Sequence, residues 1–226
     1  LKAVVDVMRS HQGGVIWDAP YLFTVFELTP KETPTKARFS KELLVDLRNG
    51  FKEISAKFED LCILSSLSKT SLIAGLRFGF VAANKQWIAN IEAIAGRENL
   101  SAPTPSFITG TEMIRRFLEN PVTHEWMCDI LAGRITVLLE EGIPLLLPGN
   151  GLYGALYALV KTPVEGAKFS DELIGKGIVT IPGAPFFGGP VNAVRLSLVA
   201  VPWVEEDEKW VESVRALKKA LGKSEI

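Results

Sequence analysis

The sequence predicts an α/β fold, and three observations lead to it. Short apolar runs bounded by Gly, Pro or Asp alternate along the chain with segments of helical spacing. The 226 residues are 47% hydrophobic and 23% charged, which is enough apolar surface to bury a core and too little charge for a disordered chain. Near Glu141 the character changes from long helical stretches to short extended ones, which sets off a second, smaller α/β unit.

The elements follow in order. Leu1 to His11 reads as the end of a helix with Val4, Val5 and Met8 on one face, stopped by Gly13 and Gly14. "VIWD", ending at Asp18, is a short buried strand, and Leu22 to Leu28 is a second apolar run. Thr29 to Arg38 carries two prolines and several charges and reads as a loop. Ser40 caps a helix through about Arg48, with Leu43, Leu44 and Leu47 at helical spacing. "LCILSS" and "RFGFVAA" are strands, and Lys85 to Ala95 is helical. Pro103 and Pro105 interrupt, and Gly110 to Glu141 forms one or two long helices broken near Pro121. Beyond it, Gly142 to Pro148 is extended, "GALYALVKT" is a strand and Ser170 to Lys176 a short helix. "GIVTIPG" and "AVRLSLVA" are strands, and Glu205 to Leu221 is a closing helix with Trp210, Val214 and Leu217 inward.

Composition excludes several function classes. A formal net charge of -1 with mixed signs gives no general attraction to nucleic acid or to an anionic membrane. Cys62 and Cys128 lie in apolar surroundings without CxxC spacing and read as buried free thiols. His11 and His124 have no metal-ligand spacing, so no metal site is expected. The most apolar stretch, Ile143 to Val160, is broken by prolines and glycines and is a poor membrane span. No secretory signal is visible, and a cytoplasmic location is expected. The start at Leu1 rather than Met hints at a fragment or a processed chain.

Asp18, Lys69 and Arg77 belong together. Asp18 closes one strand and Lys69 follows another, and open α/β sheets bind ligands at the carboxyl ends of their strands. Tyr21 lies three residues past Asp18, Ser66 and Ser68 precede Lys69, and Arg77 comes after a Gly-containing turn. An acid, a lysine, a phenol, hydroxyls and a guanidinium converging on one small anion suit pyridoxal phosphate. A lysine forms a Schiff base with its aldehyde, a carboxylate keeps its pyridine nitrogen protonated, and hydroxyls with an arginine fork hold its phosphate.

"SSLSKTSLIAGLRFGF" resembles the lysine signature of class I/II aminotransferases, the fold-type-I pyridoxal-phosphate superfamily, with Ser66, Ser68, Lys69, Gly75, Arg77 and Gly79 in place. "DAPY" resembles the family's Asp-x-x-Tyr. "GIVTIPGAPFFGGPVNAVRLSLV" is similar to its late Pro-Gly and Arg-Leu-Ser segment. The resemblance implies Asp18 and Lys69 as catalytic residues. It implies Asp18 on the pyridine nitrogen, Tyr21 on the ring oxygen, and Ser66, Ser68 and Arg77 at the phosphate. Arg195 would clamp the substrate α-carboxylate. The implied activity moves an amino group between an amino acid and a 2-oxo acid. The same scaffold also hosts lyases, decarboxylases and racemases, and a non-catalytic module that senses the cofactor is the other alternative.

Family members are markedly longer, and the part without a counterpart here is their N-terminal half. It would bring the glycine-containing phosphate loop, the aromatic that stacks on the ring and an asparagine on its phenolate oxygen. Thr29 to Phe58 is also longer and more charged than the family's usual link. The resemblance therefore implies the C-terminal half of a mostly parallel large-domain sheet (residues 1–111), connecting helices (112–141) and a small C-terminal α/β domain (142–226). A homodimer or a complementing N-terminal segment would complete the site, and an open face near Asp18 and Lys69 is expected.

Plainer readings stand beside these. Lys69 as a solvated charge conflicts with the strand before it, and Asp18 as a turn cap before Pro20 is weakened by Lys69. Tyr21 also suits a core aromatic, and Ser66 and Ser68 also suit local backbone hydrogen bonding. Arg195 on an alternating strand also suits a surface ion pair, and Phe186 and Phe187 suit either a substrate entrance or the small core. Arg38, Arg97 and Arg134 read as surface charges.

Overall fold

A computed structural model describes residues 1–57, 60–98, 103–154, 156–201 and 207–222, with the backbone alone at 51 and 55–57. The elements begin with α1 (Lys2–Ser10), β1 (Val15–Asp18), β2 (Val25–Thr29), β3 (Lys36–Arg38) and α2 (Lys41–Lys57). Then come β4 (Leu61–Ser66), the single turn α3 (Leu67–Thr70), a 3-10 turn (Ala74–Leu76), β5 (Gly79–Ala82) and α4 (Lys85–Glu98). Next are α5 (Thr104–Glu119), α6 (Val122–Glu140), β6 (Leu152–Gly154), β7 (Tyr157–Lys161) and α7 (Gly166–Ile174). The last are β8 (Ile181–Pro182), α8 (Ala184–Phe187), β9 (Ala193–Ser197) and α9 (Asp207–Gly222). Helices and strands thus alternate in an α/β fold. They form two compact units, Leu1–Thr24 with Lys41–Glu125, and Val25–Ser40 with Trp126–Ile226.

The first unit holds a sheet of order β1-β4-β5. β1 lies parallel to β4, with Asp18 opposite Leu64. β5 lies antiparallel on the other side, with Gly79 opposite Ser66. Because side chains alternate along a strand, Val15, Trp17, Leu61 and Ile63 share one face, where they pack with Val5 of α1, Ala19, Leu22 and Ile54. The other face presents Ile16, Cys62, Leu64 and Val81. With Trp87, Asn90, Ile91 and Ile94 of α4 they line an open apolar cleft of about 470 Å³. Burial there pushes the Cys62 thiol up from its ordinary value.

The expectation of a buried "VIWD" is corrected. β1 is an edge strand with β4 as its one neighbour among the described residues, so Ile16 is 63% exposed and Asp18 is exposed too. Of the expected inward face of α1, Val5 is buried while Val4 and Met8 are exposed. Pro105 does not interrupt. It sits in the first turn of α5, where its missing N–H has no helical acceptor to lose. The break between α5 and α6 falls at Asn120 and Pro121, as the proline requires. α2 runs on to Lys57, beyond the expected end at Arg48, and α4 reaches Glu98.

The second unit contains two antiparallel sheets, β3-β2-β6 and β7-β9-β8. The stretch expected as a loop from Thr29 to Arg38 ends in a strand. β3 pairs with β2, and the Ala37 N–H donates to the Thr136 hydroxyl at 2.9 Å. The "GALYALVKT" segment supplies β7 and, through Gly154, only the last residue of β6, its Ala155 lying outside the described residues. Helix α7 starts at Gly166, earlier than expected, and "GIVTIPG" contributes only the two-residue β8. Leu131, Ile135 and Leu138 of α6, spaced four and three residues apart, are fully buried. So are Phe26, Leu28, Phe169, Leu173 and Val194.

Helix α9 turns Trp210, Val214 and Leu217 inward as expected, with Glu205 and Glu206 of the expected span outside the described residues. Arg134 is not a surface charge. It is 2% exposed, its Nη1 donates to the Leu198 and Val201 carbonyls at 2.6 and 2.8 Å, and its guanidinium lies over the Trp210 ring. Both cysteines are buried free thiols. Among the described residues no helix is long and apolar enough to cross a membrane, and no cluster of ligating side chains suits a metal.

Candidate active site

Two neighbouring strands that run the same way deliver their carboxyl ends to one rim. Asp18 is the last residue of β1, and the Ala19 N–H continues the ladder by donating to the Leu64 carbonyl at 2.8 Å. The buried Ser65 hydroxyl donates to the Ala19 carbonyl at 2.9 Å, which ties the turn after β1 to the end of β4. That turn carries Tyr21 and is closed by hydrogen bonds from Leu22 N to Ala19 O (3.3 Å) and from Thr24 N to Tyr21 O (3.1 Å).

β4 ends at Ser66, and the chain then makes the helical turn that holds Ser68 and Lys69. Ser71 N and Ile73 N both donate to Leu67 O, and the 3-10 turn leads to Arg77 in the left-handed region at φ 54°. The Arg77 side chain turns back on this loop, with Nη1 donating to Ala74 O at 3.2 Å. Leu67 N donates to Phe78 O at 3.2 Å, and Gly79 stands opposite Ser66. The loop from Ser66 to Gly79 is thus closed at its base, so Ser66, Ser68, Lys69 and Arg77 belong to one local structure beside the strand end that carries Asp18.

The side chains of Asp18, Ser66, Ser68 and Lys69 make no hydrogen bond or ion pair with other described residues. Lys69, Ser66 and Ser68 are half-buried, while Asp18 and Arg77 are exposed. A half-buried ammonium without a carboxylate contrasts with Arg9, Arg38, Lys41, Arg115 and Arg215, which all have acidic partners. An uncommitted amine, a carboxylate on the next strand end, two free hydroxyls and a guanidinium are thus polar groups at one rim, of kinds that can meet a small anion.

Arg195 belongs to the second unit. It stands on β9 opposite Leu159 of β7 and Ile181 of β8. Its guanidinium carbon lies 4.1 Å from the centroid of the Tyr157 ring and 4.5 Å from that of Phe186. No carboxylate among the described residues pairs with it, so it does not form the surface ion pair that an alternating strand also allowed. Cation–π contact with two rings uses none of the guanidinium N–H groups, which suit a bidentate acceptor. Phe186 and Phe187 are half exposed and do not fill a core.

One polar residue next to the site had no signal in the sequence. His124, on the first turn of α6, is buried, with its ring nitrogens on the Thr70 and Phe23 carbonyls. A single histidine in a helical stretch carries no spacing that points to such partners.

The sequence profile of the family described as aminotransferase class I and II matches residues 1–214. The chain is similar to the histidinol-phosphate aminotransferase of Methanopyrus kandleri, 23% identical over 215 residues, covering 95% of this chain and 48% of that protein. It is also similar to the aspartate aminotransferase of Thermococcus kodakarensis, 24% identical over 142 residues, which cover 62% and 37%. In fold it is similar to a probable N-succinyldiaminopimelate aminotransferase from Thermus thermophilus. The TM-score is 0.71 at 23% identity, covering 97% of this chain and 53% of that one. A Thermus thermophilus aspartate aminotransferase variant gives a TM-score of 0.73 at 18% identity, covering 97% and 51%. The chain spans about half the length, or less, of these relatives.

Proposed function

The chain belongs to the aminotransferase class I and II family, and from that premise we propose that the protein carrying it moves an amino group between an amino acid and a 2-oxo acid with pyridoxal phosphate. The observation that carries this reading is the placing of Asp18 and the Lys69 loop at the carboxyl ends of adjacent parallel strands, with the Asp18 and Lys69 side chains uncommitted. The donor set fits the cofactor. The Lys69 amine would hold its aldehyde carbon and Asp18 its pyridine nitrogen. Tyr21 would meet its ring oxygen, and Ser66, Ser68 and Arg77 its phosphate.

When bound, pyridoxal phosphate supplies an aldehyde that takes up amines and a ring that withdraws electrons. The chain's own residues do the rest. The Nζ of Lys69 would take the proton from the substrate Cα as a base and give it up as an acid. The Asp18 carboxylate holds a proton on the pyridine nitrogen and so favours electron withdrawal. The guanidinium edge of Arg195 grips the α-carboxylate and fixes which Cα bond faces the ring, a contribution of position.

In this reading residues 1–111 are part of a cofactor-binding domain, 112–141 connect, and 142–226 form a small domain. A second copy or an N-terminal segment completes the site. The half-length match to relatives and the exposed edge of β1 at Ile16 support that completion. The test is borohydride reduction of the protein with its cofactor, followed by peptide mapping. The pyridoxyl mass is expected on Lys69, and Lys69→Ala is expected to abolish turnover because attachment and proton transfer fail together. A label on Lys85 instead overturns the assignment.

A further inference from the structure

His124 is 5% exposed. Its Nδ1 lies 3.0 Å from the Thr70 carbonyl oxygen and its Nε2 3.2 Å from the Phe23 carbonyl oxygen. A carbonyl only accepts, so a hydrogen bond to either one needs a ring N–H, and a neutral imidazole has one. In either tautomer the ring donates to one segment and lies packed against the carbonyl of the other. These two carbonyls are not arbitrary ones. Thr70 follows Lys69 directly, and Phe23 is two residues past Tyr21.

The backbone at both places is unusual. Phe23 has φ 65° and Leu72, two residues beyond Thr70, has φ 56°, a conformation that bulky side chains rarely adopt. Such conformations persist where the surroundings over-determine them. The aromatic neighbours of His124 supply more of that constraint. The Phe117 ring of α5 meets the imidazole edge-on at 5.1 Å between centroids and stacks on the Phe23 ring at 6.4 Å. The turn after β1, the turn after β4, α5 and the first turn of α6 therefore meet at one imidazole.

We propose that His124, wedged between the two carbonyls and hydrogen-bonded to one of them, is a positioning residue that holds the Tyr21 turn and the Lys69 turn at a fixed separation, so that phenol and amine reach one ligand together. The inference rests on the cofactor reading given above for its consequence in catalysis, but the clamp itself is a property of the fold. Both ring nitrogens of His124 face backbone carbonyls, so its effect on chemistry passes through the placement of Tyr21 and Lys69.

The test compares the full-length protein with its His124→Phe and His124→Gln variants. Phenylalanine keeps the ring against Phe117 and removes the ring N–H, whereas glutamine keeps a donor. Amide hydrogen exchange at residues 20–24 and 69–73 is expected to quicken about tenfold or more in His124→Phe. Borohydride labelling still reaches Lys69, turnover falls on the order of a hundredfold, and the amino-acid KM stays within about threefold, as misplacement predicts. His124→Gln recovers part of the loss. A folded His124→Phe with turnover near wild type overturns the positioning role. Unchanged exchange in both segments overturns the clamp. Where the Phe variant does not fold, exchange in the unaltered protein decides: the two segments and the start of α6 open as one unit if the clamp exists and separately if it does not. A wild-type label away from Lys69 defeats the cofactor reading alone, since the exchange results do not depend on it.

Discussion

The Arg195 guanidinium carbon lies over the Tyr157 ring, 4.1 Å from its centroid, and the two residues sit on paired strands. The Phe186 ring, 4.5 Å away, provides a second apolar surface. The two rings hold a charge that has no acidic partner among the described residues. Lysine at this position keeps the charge but has neither the planar fork nor the stacking surface. Arg195→Lys is expected to raise the amino-acid KM about tenfold or more. Phe186→Leu, which removes one stacking ring, is expected to raise it only about two- to fivefold. Steady-state kinetics at saturating cofactor check both, and an unchanged KM in Arg195→Lys rejects the carboxylate role.

Asp18 supplies the second prediction. It is exposed at the end of an edge strand and uncommitted to any described neighbour, so Asp18→Asn removes a charge without breaking a contact of the fold. The variant is expected to melt with the wild type and to keep its cofactor. Turnover is expected to fall by about a hundredfold or more, because a neutral amide does not hold a proton on the pyridine nitrogen. Near-normal turnover makes Asp18 a turn residue before Pro20.

The strand ends that carry Asp18 and Lys69 were legible because a short apolar run and the residue after it define a strand end locally. The burial of that strand was not. Whether Ile16 is covered depends on what flanks β1, which no local pattern encodes. β3 was hidden for a similar reason: prolines and charges mark a loop, while its pairing with β2 depends on register across the turn. Arg134 and His124 were misread or passed over because their partners are backbone carbonyls distant in sequence, Leu198 and Val201 for one and Thr70 and Phe23 for the other. Backbone acceptors leave no trace in residue type. Helix limits were legible where a proline forces them, as at Pro121, and less so where packing extends a helix, as in α2.

Gly166 sets the strand that carries Arg195. A Cβ there would lie 1.9 Å from the Ala193 carbonyl oxygen, a backbone atom that also accepts from Gly183 N. The oxygen cannot retreat without disturbing the start of β9. Alanine favours a helix over glycine by about 1 kcal/mol, but the clash opposes that gain. Gly166→Ala is expected to cost about 2 kcal/mol or more in denaturant unfolding, at the level of overpacked cores. An equal or higher midpoint contradicts the close approach of α7 to β9.

The last prediction concerns α5, where Glu112 lies 2.7 Å from both Arg115 Nη2 and Arg116 Nε, and Arg115 also reaches Glu119. The hydrogen bond from Arg115, then that from Arg116, lowers the Glu112 carboxyl to about 2. A carboxyl depressed in the folded state adds stability above its unfolded value of about 4.3. That contribution fades as pH falls through about 2. All four side chains reach water, so salt screens the network and its share of stability is small. A carbon-detected NMR titration is therefore expected to show Glu112 still ionised near pH 3.5, with a midpoint well below that of an ordinary glutamate. Arg115→Gln should move the midpoint up more than Arg116→Gln, since Arg115 provides the larger effect, and molar salt should move it up in the unaltered protein. A midpoint near 4.3 in low salt shows that these arginines do not hold the carboxylate in solution.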